Sequence, residues 1–114
     1  MLFRSIQFML AECAADLYAA RWMTYKTAWE IDHNNEDGRA LNEKISMCKY
    51  FATEAEGRII DKCLQIHGGM GYMKESTIEM LYRDARIERI WEGTSQIQLR
   101  IVGNGLRKRG VLHF

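Results

Sequence analysis

Glu92 is the residue of this 114-residue chain whose setting best suits chemistry. It stands in Trp91-Glu92-Gly93-Thr94-Ser95, inside the stretch RDARIERIWEGTSQIQ that runs from Arg83 to Gln98. A carboxylate beside a glycine and two hydroxyl residues has the parts of a general base: a proton acceptor, open space for a reacting group, and polar neighbours to orient one. The same pattern has a plain structural use, because an acidic residue before a helix start is favoured by the helix macrodipole. A second unusual stretch is Gln65-Ile66-His67-Gly68-Gly69-Met70-Gly71. One glycine there is enough to stop a helix. Three exceed that need, and bare backbone admits close approach by a ligand or a neighbouring subunit. No strand precedes these glycines, so they do not make a dinucleotide-binding fingerprint.

Other constellations are weaker. Glu30-Ile31-Asp32-His33 matches the Glu-x-x-His of di-iron helix bundles, but such a site needs a second copy and two further glutamates. Leu64 stands three residues before His67, and Gly110 three before His113, so the second copy is absent and no metal is expected. Arg83, Arg86 and Arg89 step along one helix face, yet Asp84, Glu88 and Glu92 interleave with them. That pattern reads as a salt-bridged surface rather than a nucleic-acid reader. Cys13, Cys48 and Cys63 are far apart with no CxxC, which predicts buried thiols in a reducing compartment and neither zinc nor a disulfide framework. The net charge of +1 points to no partner class. From Arg83 to Phe114 seven Arg/Lys face three Asp/Glu, and that excess reads chiefly as a solvated surface. No apolar run approaches the roughly 18 residues of a membrane span, and the start lacks the pattern of a secretory signal.

The elements that position these residues read as helices in one domain. The composition, 47% hydrophobic and 27% charged with no proline, suits a globular chain whose helices run uninterrupted. From about Arg4 to His33, Ile6, Leu10, Cys13, Leu17, Ala20, Thr24, Ala28 and Ile31 recur at helical spacing. This helix begins without a cap, as in a piece of a longer chain. The break is HNNEDG (33–38), where Asp37 is the expected cap. The next helix runs from about Gly38 to His67 on Leu41, Ile45, Cys48, Ala52, Ala55, Ile59, Lys62 or Cys63, and Ile66. Gly57 inside it costs about 1 kcal/mol relative to alanine, which close packing offsets. Ser76-Thr77-Ile78-Glu79 reads as a capping box, opening a short helix to about Ile87 with Ile78, Leu81, Tyr82 and Ala85 inward. Thr94 or Ser95 caps the last helix, Ser95 and Gln98 forming a possible second capping box, and that helix carries Ile97, Ile101, Val102 and Leu106. The expected fold is all-α: an antiparallel, up-down four-helix bundle of two long helices followed by two shorter ones.

QIHGGMGY followed some twenty residues on by YRDARIERIWEGTSQIQ resembles the C-terminal helical domain of acyl-CoA dehydrogenases, and FRSIQFMLAECAADLYAARWMTYKTAW resembles the helix that opens that domain. The resemblance covers nearly all of residues 1–114, and the pair of motifs is specific where either alone is suggestive. It implies an FAD enzyme that makes a 2,3-double bond in acyl-CoA thioesters, passes electrons to an electron-transfer flavoprotein, and assembles as a homo-oligomer, dimer or tetramer. It implies a bacterial cytoplasmic or mitochondrial matrix location. By this resemblance Glu92 is the catalytic base and Gly93 lies beside the substrate thioester. Thr94, Ser95 and Gln96 contact FAD, and Gln65, Ile66, His67, Gly68 and Gly69 contact the FAD of a neighbouring subunit. The family's N-terminal helical domain and central β domain are absent from this sequence, and Arg4 stands where the family has glutamine. The isolated chain is therefore expected to be inactive and not to hold FAD. The alternative is a non-catalytic helical oligomerisation or interaction module.

The implied chemistry makes sense of the turn. A thioester α-proton is weakly acidic, so its removal needs a base held close, a polarised carbonyl and an acceptor for the hydride leaving the β-carbon. A helix N-terminus favours a charged carboxylate by about 0.3–1 kcal/mol. Burial beneath an acyl chain and a flavin ring opposes this by more. Trp91 is placed to wall off water, and the backbone N–H of Glu92 is placed to donate to the thioester oxygen.

Overall fold

The computed structural model describes residues 2–33 and 38–110. Five helices follow one another: α1 (Leu2–His33), α2 (Gly38–His67), α3 (Gly69–Tyr72), α4 (Thr77–Glu88) and α5 (Ser95–Arg109). Among the described residues there is no strand, in line with the all-α expectation. The single-turn α3 is an addition to the four expected helices. It forms because Gly68 turns the chain at φ 59° and Gly71 then packs directly on the end of α2. A Cβ on Gly71 would sit 2.8 Å from the Leu64 carbonyl oxygen, so this glycine is required by internal packing. Asp37 and His113 lie outside the described residues.

The second helix, α2, is the spine: α1, α3, α4 and α5 all pack on it. Helix α1 lies antiparallel along one side, as four cross-links in reversed order show. Lys62 pairs with Glu12 at 2.6 Å, Arg58 with Asp16 at 2.9 Å, Cys48 Sγ with Thr27 Oγ1 at 3.2 Å, and Lys44 with Glu30 at 2.8 Å. The other side of α2 is covered by α4 and α5 in tandem. Gly71, packed at the end of α2, lies against both Leu64 and Ile78, and Arg89 reaches Gly57, so α4 descends antiparallel along the C-terminal half of α2. Ser95 bonds Glu54, and Arg109 and Gly105 meet Glu43, so α5 continues in the same sense along the N-terminal half. The turn between α4 and α5 therefore falls over the middle of the spine.

The inward face of α1 is rotated from the expected stripe. Met9, Cys13, Asp16, Ala20, Met23, Thr27 and Glu30 turn toward α2, a seven-residue repeat that includes three polar residues. Ile6, Cys13 and Ala20 are covered as expected, but Leu10, Leu17 and Ile31 are exposed, as are Thr24 and Ala28. The reason is pairing: Asp16, Thr27 and Glu30 each find a partner on α2, so burying them costs little. A second apolar line, Phe8, Tyr18, Trp22, Tyr25 and Trp29, is exposed on the same helix. On α4 only Ile78 and Ala85 are buried, whereas Leu81 and Tyr82 are exposed. Ser76 is the N-cap of α4 but makes no side-chain cap bond, and Glu79 turns to Arg83 instead, at 2.9 Å.

The seam ties stability to pH. Hydrogen bonding from Lys44 holds the Glu30 carboxyl below its ordinary 4.5, against the opposing effect of burial. Hydrogen bonding from Arg58 likewise holds Asp16 below its ordinary 3.8. Depressed folded-state values mean the unfolded chain takes up protons first on acidification. This stabilisation is complete above the unfolded values and is lost as pH falls through the folded ones. The double variant Asp16→Asn, Glu30→Gln is expected to be less stable at neutral pH and to lose less stability on acidification below about pH 4.5. Urea denaturation across pH 3 to 7 checks this; equal acid sensitivity in the two proteins would contradict it.

Candidate functional site

The turn that carries Glu92 is fastened from below by three side chains. Helix α4 ends as the N–H groups of Ile90 and Trp91 both donate to the Ile87 carbonyl, at 2.8 and 3.0 Å. The ends of helices leave carbonyls without partners. Here Lys49, from the middle of α2, supplies them: its ammonium donates to the carbonyls of Glu88 at 2.8 Å, Trp91 at 3.2 Å and Gly93 at 2.8 Å. Gln98, buried on α5, donates its amide to the carbonyls of Glu92 and Gly93 at 3.4 and 3.3 Å. Glu54 fixes the two flanks, accepting from the Ser95 hydroxyl at 2.7 Å and from Arg89 at 3.4 Å. The Arg89 guanidinium lies against Gly57, where a Cβ would come within 3.3 Å of it, which is the close packing that the mid-helix glycine permits.

With its carbonyls held inward, the turn places Glu92 at φ 51°, the one positive-φ residue other than glycine among the described residues. An L-residue there costs on the order of 1–3 kcal/mol and persists only where its surroundings impose it. Gly93 follows at φ 91°, and a Cβ on it would fall 2.6 Å from the Gln98 amide nitrogen. The Glu92 side chain is exposed. Trp91 is half exposed beside it, its indole N–H donating to Glu88 at 2.9 Å. Thr94 is the N-cap of α5, its hydroxyl accepting from the Ile97 N–H at 3.3 Å. Ser95 is given to Glu54 and Gln98 to the turn carbonyls, so the capping box expected from that pair is not formed.

The second candidate segment stands apart. Gln65 to Gly69 span the far end of α2, the turn at Gly68 and the start of α3, and the His67 ring bonds the Cys63 carbonyl at 2.7 Å. From Glu54 to His67 the helix rises roughly 20 Å, so the two segments do not line one pocket of this chain. Gly68 and Gly69 have open space where side chains would be, unlike Gly71.

Do these residues suit the flavin that the resemblance implies? Beside the turn is an open cleft of about 190 Å³ lined by Glu54, Arg86, Arg89, Ile90, Thr94, Ser95 and Gln96. Pockets that enclose a cofactor run to about 300–1,000 Å³, so the cleft fits an edge of FAD and not the whole. Two guanidinium groups against one carboxylate, together with the N-terminus of α5, suit an anionic part of such a ligand. The Arg89 Nε is buried without an acceptor among the described residues, which leaves that cationic edge incompletely satisfied. The open backbone at Gly68 and Gly69 suits contact with a ligand held elsewhere. The residues present therefore fit the group in part, on two separate faces.

Of the former metal candidate, Glu30 is engaged by Lys44 and Lys26, and the His33 ring bonds the Trp29 carbonyl and stacks on the Trp29 ring. Lys49 and Glu54 were not legible as site residues. Both lie on the second inward face of α2, and a sequence read for one stripe does not show that a helix is covered on two sides. Lys49→Met is expected to cost about 1.5–3 kcal/mol, as for hydrogen bonds to a charged group, and to loosen the turn. Denaturation of the intact protein measures the first and amide hydrogen exchange at residues 91–95 the second; an unchanged midpoint with unchanged exchange would show that Lys49 does not hold the turn.

Comparison with known proteins fits this geometry. Residues 1–107 match the acyl-CoA dehydrogenase C-terminal domain. The chain is 42% identical over 106 residues to the 3-(aryl)acrylate reductase of Clostridium sporogenes, covering 93% of this chain and 27% of that protein. It is 39% identical over 107 residues to the caffeyl-CoA reductase–Etf complex subunit CarC of Acetobacterium woodii, covering 94% of this chain and 27% of that one. A crystal structure assigned to an acyl-CoA dehydrogenase from Mycobacterium smegmatis superimposes with a TM-score of 0.83 at 30% identity, over 93% of this chain and 27% of its own. The chain thus spans about a quarter of the length of the curated relatives it matches. A match over almost every residue, on the same helical architecture, makes this chain a member of the acyl-CoA dehydrogenase family, of which it forms the C-terminal helical domain.

Proposed function

We propose that this domain supplies the base and one flavin edge of an FAD-dependent acyl-CoA dehydrogenase. The observation that carries the reading is the left-handed Glu92, exposed on a turn that Lys49, Glu54 and Gln98 hold from beneath. In this reading Glu92 takes the α-proton of an acyl-CoA thioester. Its backbone N–H donates to the thioester oxygen and so stabilises charge developing there. Gly93 lies beside the thioester in this reading, and its glycine keeps the turn in place, since any side chain at φ 91° would be strained and would meet Gln98. FAD, when bound, supplies the acceptor for the hydride from the β-carbon. Thr94, Ser95 and Gln96 hold the flavin beside Glu92, and Gln65 to Gly69 face the flavin of a neighbouring subunit. The roughly 20 Å between the two segments along α2 supports assigning them to two flavins.

The same carboxylate returns the proton when the reaction runs toward the saturated thioester, as microscopic reversibility requires. Two of the relatives are named as reductases, and one of these as part of an Etf complex. That name supports an electron-transfer flavoprotein as the redox partner here. The exposed aromatic line of α1 supports a packing role as well, consistent with a homo-oligomer. By itself the 114-residue chain presents an open cleft smaller than a flavin site, and we infer that it neither holds FAD nor turns over substrate.

Glu92→Gln in the full-length enzyme is expected to keep bound flavin and to lose turnover on the order of 10²–10⁴-fold, the usual contribution of a general base. Flavin absorbance with a steady-state acyl-CoA assay reads both. Turnover undiminished in a flavin-loaded variant would remove Glu92 from the mechanism.

A further inference from the structure

We propose that Lys49 is a positioning residue for the reaction: its charge, passed through the Trp91–Glu92 peptide, strengthens the backbone N–H that holds the thioester oxygen. This rests on the reading of Glu92 as the base and of its N–H as the thioester donor. Lys49 stands 42 residues before Trp91, and its ammonium donates to the carbonyls of Glu88 at 2.8 Å, Trp91 at 3.2 Å and Gly93 at 2.8 Å. An ammonium has three N–H donors, so all three are spent on backbone. Lys44, Arg58 and Lys62 on the same helix each face a carboxylate, at 2.8, 2.9 and 2.6 Å. Among the described residues no carboxylate pairs with Lys49. Its charge, half-buried and not neutralised by an ion pair, acts on the peptides it touches.

The contact with Trp91 is the one that reaches the chemistry. The Trp91 carbonyl and the Glu92 N–H belong to one peptide group, and none of the described peptide bonds is cis. In a trans peptide the C=O and the N–H point to opposite sides. With the carbonyl held on Lys49, the Glu92 N–H points away from that ammonium. No backbone carbonyl among the described residues accepts it. A cation at the carbonyl end draws electron density through the amide and leaves the N–H more positive, the cooperative strengthening of linked hydrogen bonds. As the α-proton passes to Glu92, negative charge gathers on the thioester oxygen, and a stronger donor there stabilises it. Gln98 provides a contrast within the turn. It donates a neutral amide to the carbonyls of Glu92 and Gly93, and so touches the neighbouring peptides and not this one.

The test uses the full-length, flavin-loaded enzyme and an acyl-CoA thioester with no hydrogen on its β-carbon, which binds without being oxidised. Its thioester carbonyl is isotope-labelled, and difference infrared spectroscopy reads the C=O stretch, which falls as the hydrogen bond to the oxygen strengthens. Expected is a stretch in the wild type below that of the free thioester. Lys49→Gln, which keeps an amide donor and removes the charge, should return it most of the way to the free value. With an oxidisable acyl-CoA the same variant should lose kcat roughly tenfold with KM little changed, since removing an oxyanion donor outright costs about 10²–10³ and weakening one costs less. Gln98→Leu should loosen the turn, raising amide exchange at residues 91–95, yet leave the stretch near its wild-type value. A Lys49→Gln stretch equal to that of the wild type, or a Gln98→Leu stretch displaced as far as that of Lys49→Gln, would overturn the proposal and leave the reading of Glu92 standing. A wild-type stretch equal to that of the free thioester would overturn both.

Discussion

One ammonium group holds the candidate site together. Lys49 donates to three carbonyls that the end of α4 and the following turn leave unpaired by the helix itself, and it does so from α2, a helix distant in sequence. Without such a donor, a turn with two successive left-handed residues would relax, because Glu92 gains nothing locally from φ 51°. Gln98 repeats the device from the other side, and Glu54 ties Ser95 to Arg89 across the gap. The result is a rigid underside and a free upper side. Precision in placing a catalytic group comes from such supporting contacts more than from the group itself.

That arrangement requires α2 to be covered on two faces. One face meets α1 through a seam that is partly ionic, Asp16 with Arg58 and Glu30 with Lys44. The other takes α4 and α5 in tandem, which sets their joining turn above Lys49 and Glu54. Gly57 and Gly105 are the close-approach points of that second face, one under the Arg89 guanidinium and the other beside the Glu43 carboxylate. On α1 the consequence is an inverted polarity: charged residues turn in, and Tyr18, Trp22, Tyr25 and Trp29 turn out. The relatives are about four times as long as this chain, which covers 27% of each.

The breaks in the chain were legible because turn chemistry is local. The two ends of α2 and the start of α5 fall where HNNEDG, HGGMGY and Glu92-Gly93-Thr94 place them, and α4 ends at Glu88, next to the expected Ile87. The turn that carries Glu92 was legible for the same reason, with Gly93 at a positive φ and Thr94 as the helix cap, as their types suggest. What a single sequence did not show were choices made by distant partners. Whether Leu17 or Asp16 turns inward depends on an arginine 42 residues away. Whether Ser95 caps its helix or bonds Glu54 depends on a contact across 41 residues. Lys49 reads as an ordinary helix lysine until α4 is seen to end above it.

The central claim is that this fastened turn presents Glu92 to a thioester beside a flavin. The most direct test is a crystal structure of the full-length protein with FAD and a substrate-like acyl-CoA thioester. The account predicts the Glu92 carboxylate within about 3–3.5 Å of the α-carbon, the geometry of a near-attack complex, on the face opposite the flavin ring, with Lys49 still bonded beneath the turn. A thioester bound elsewhere, or Glu92 turned away from the α-carbon in that complex, would contradict it.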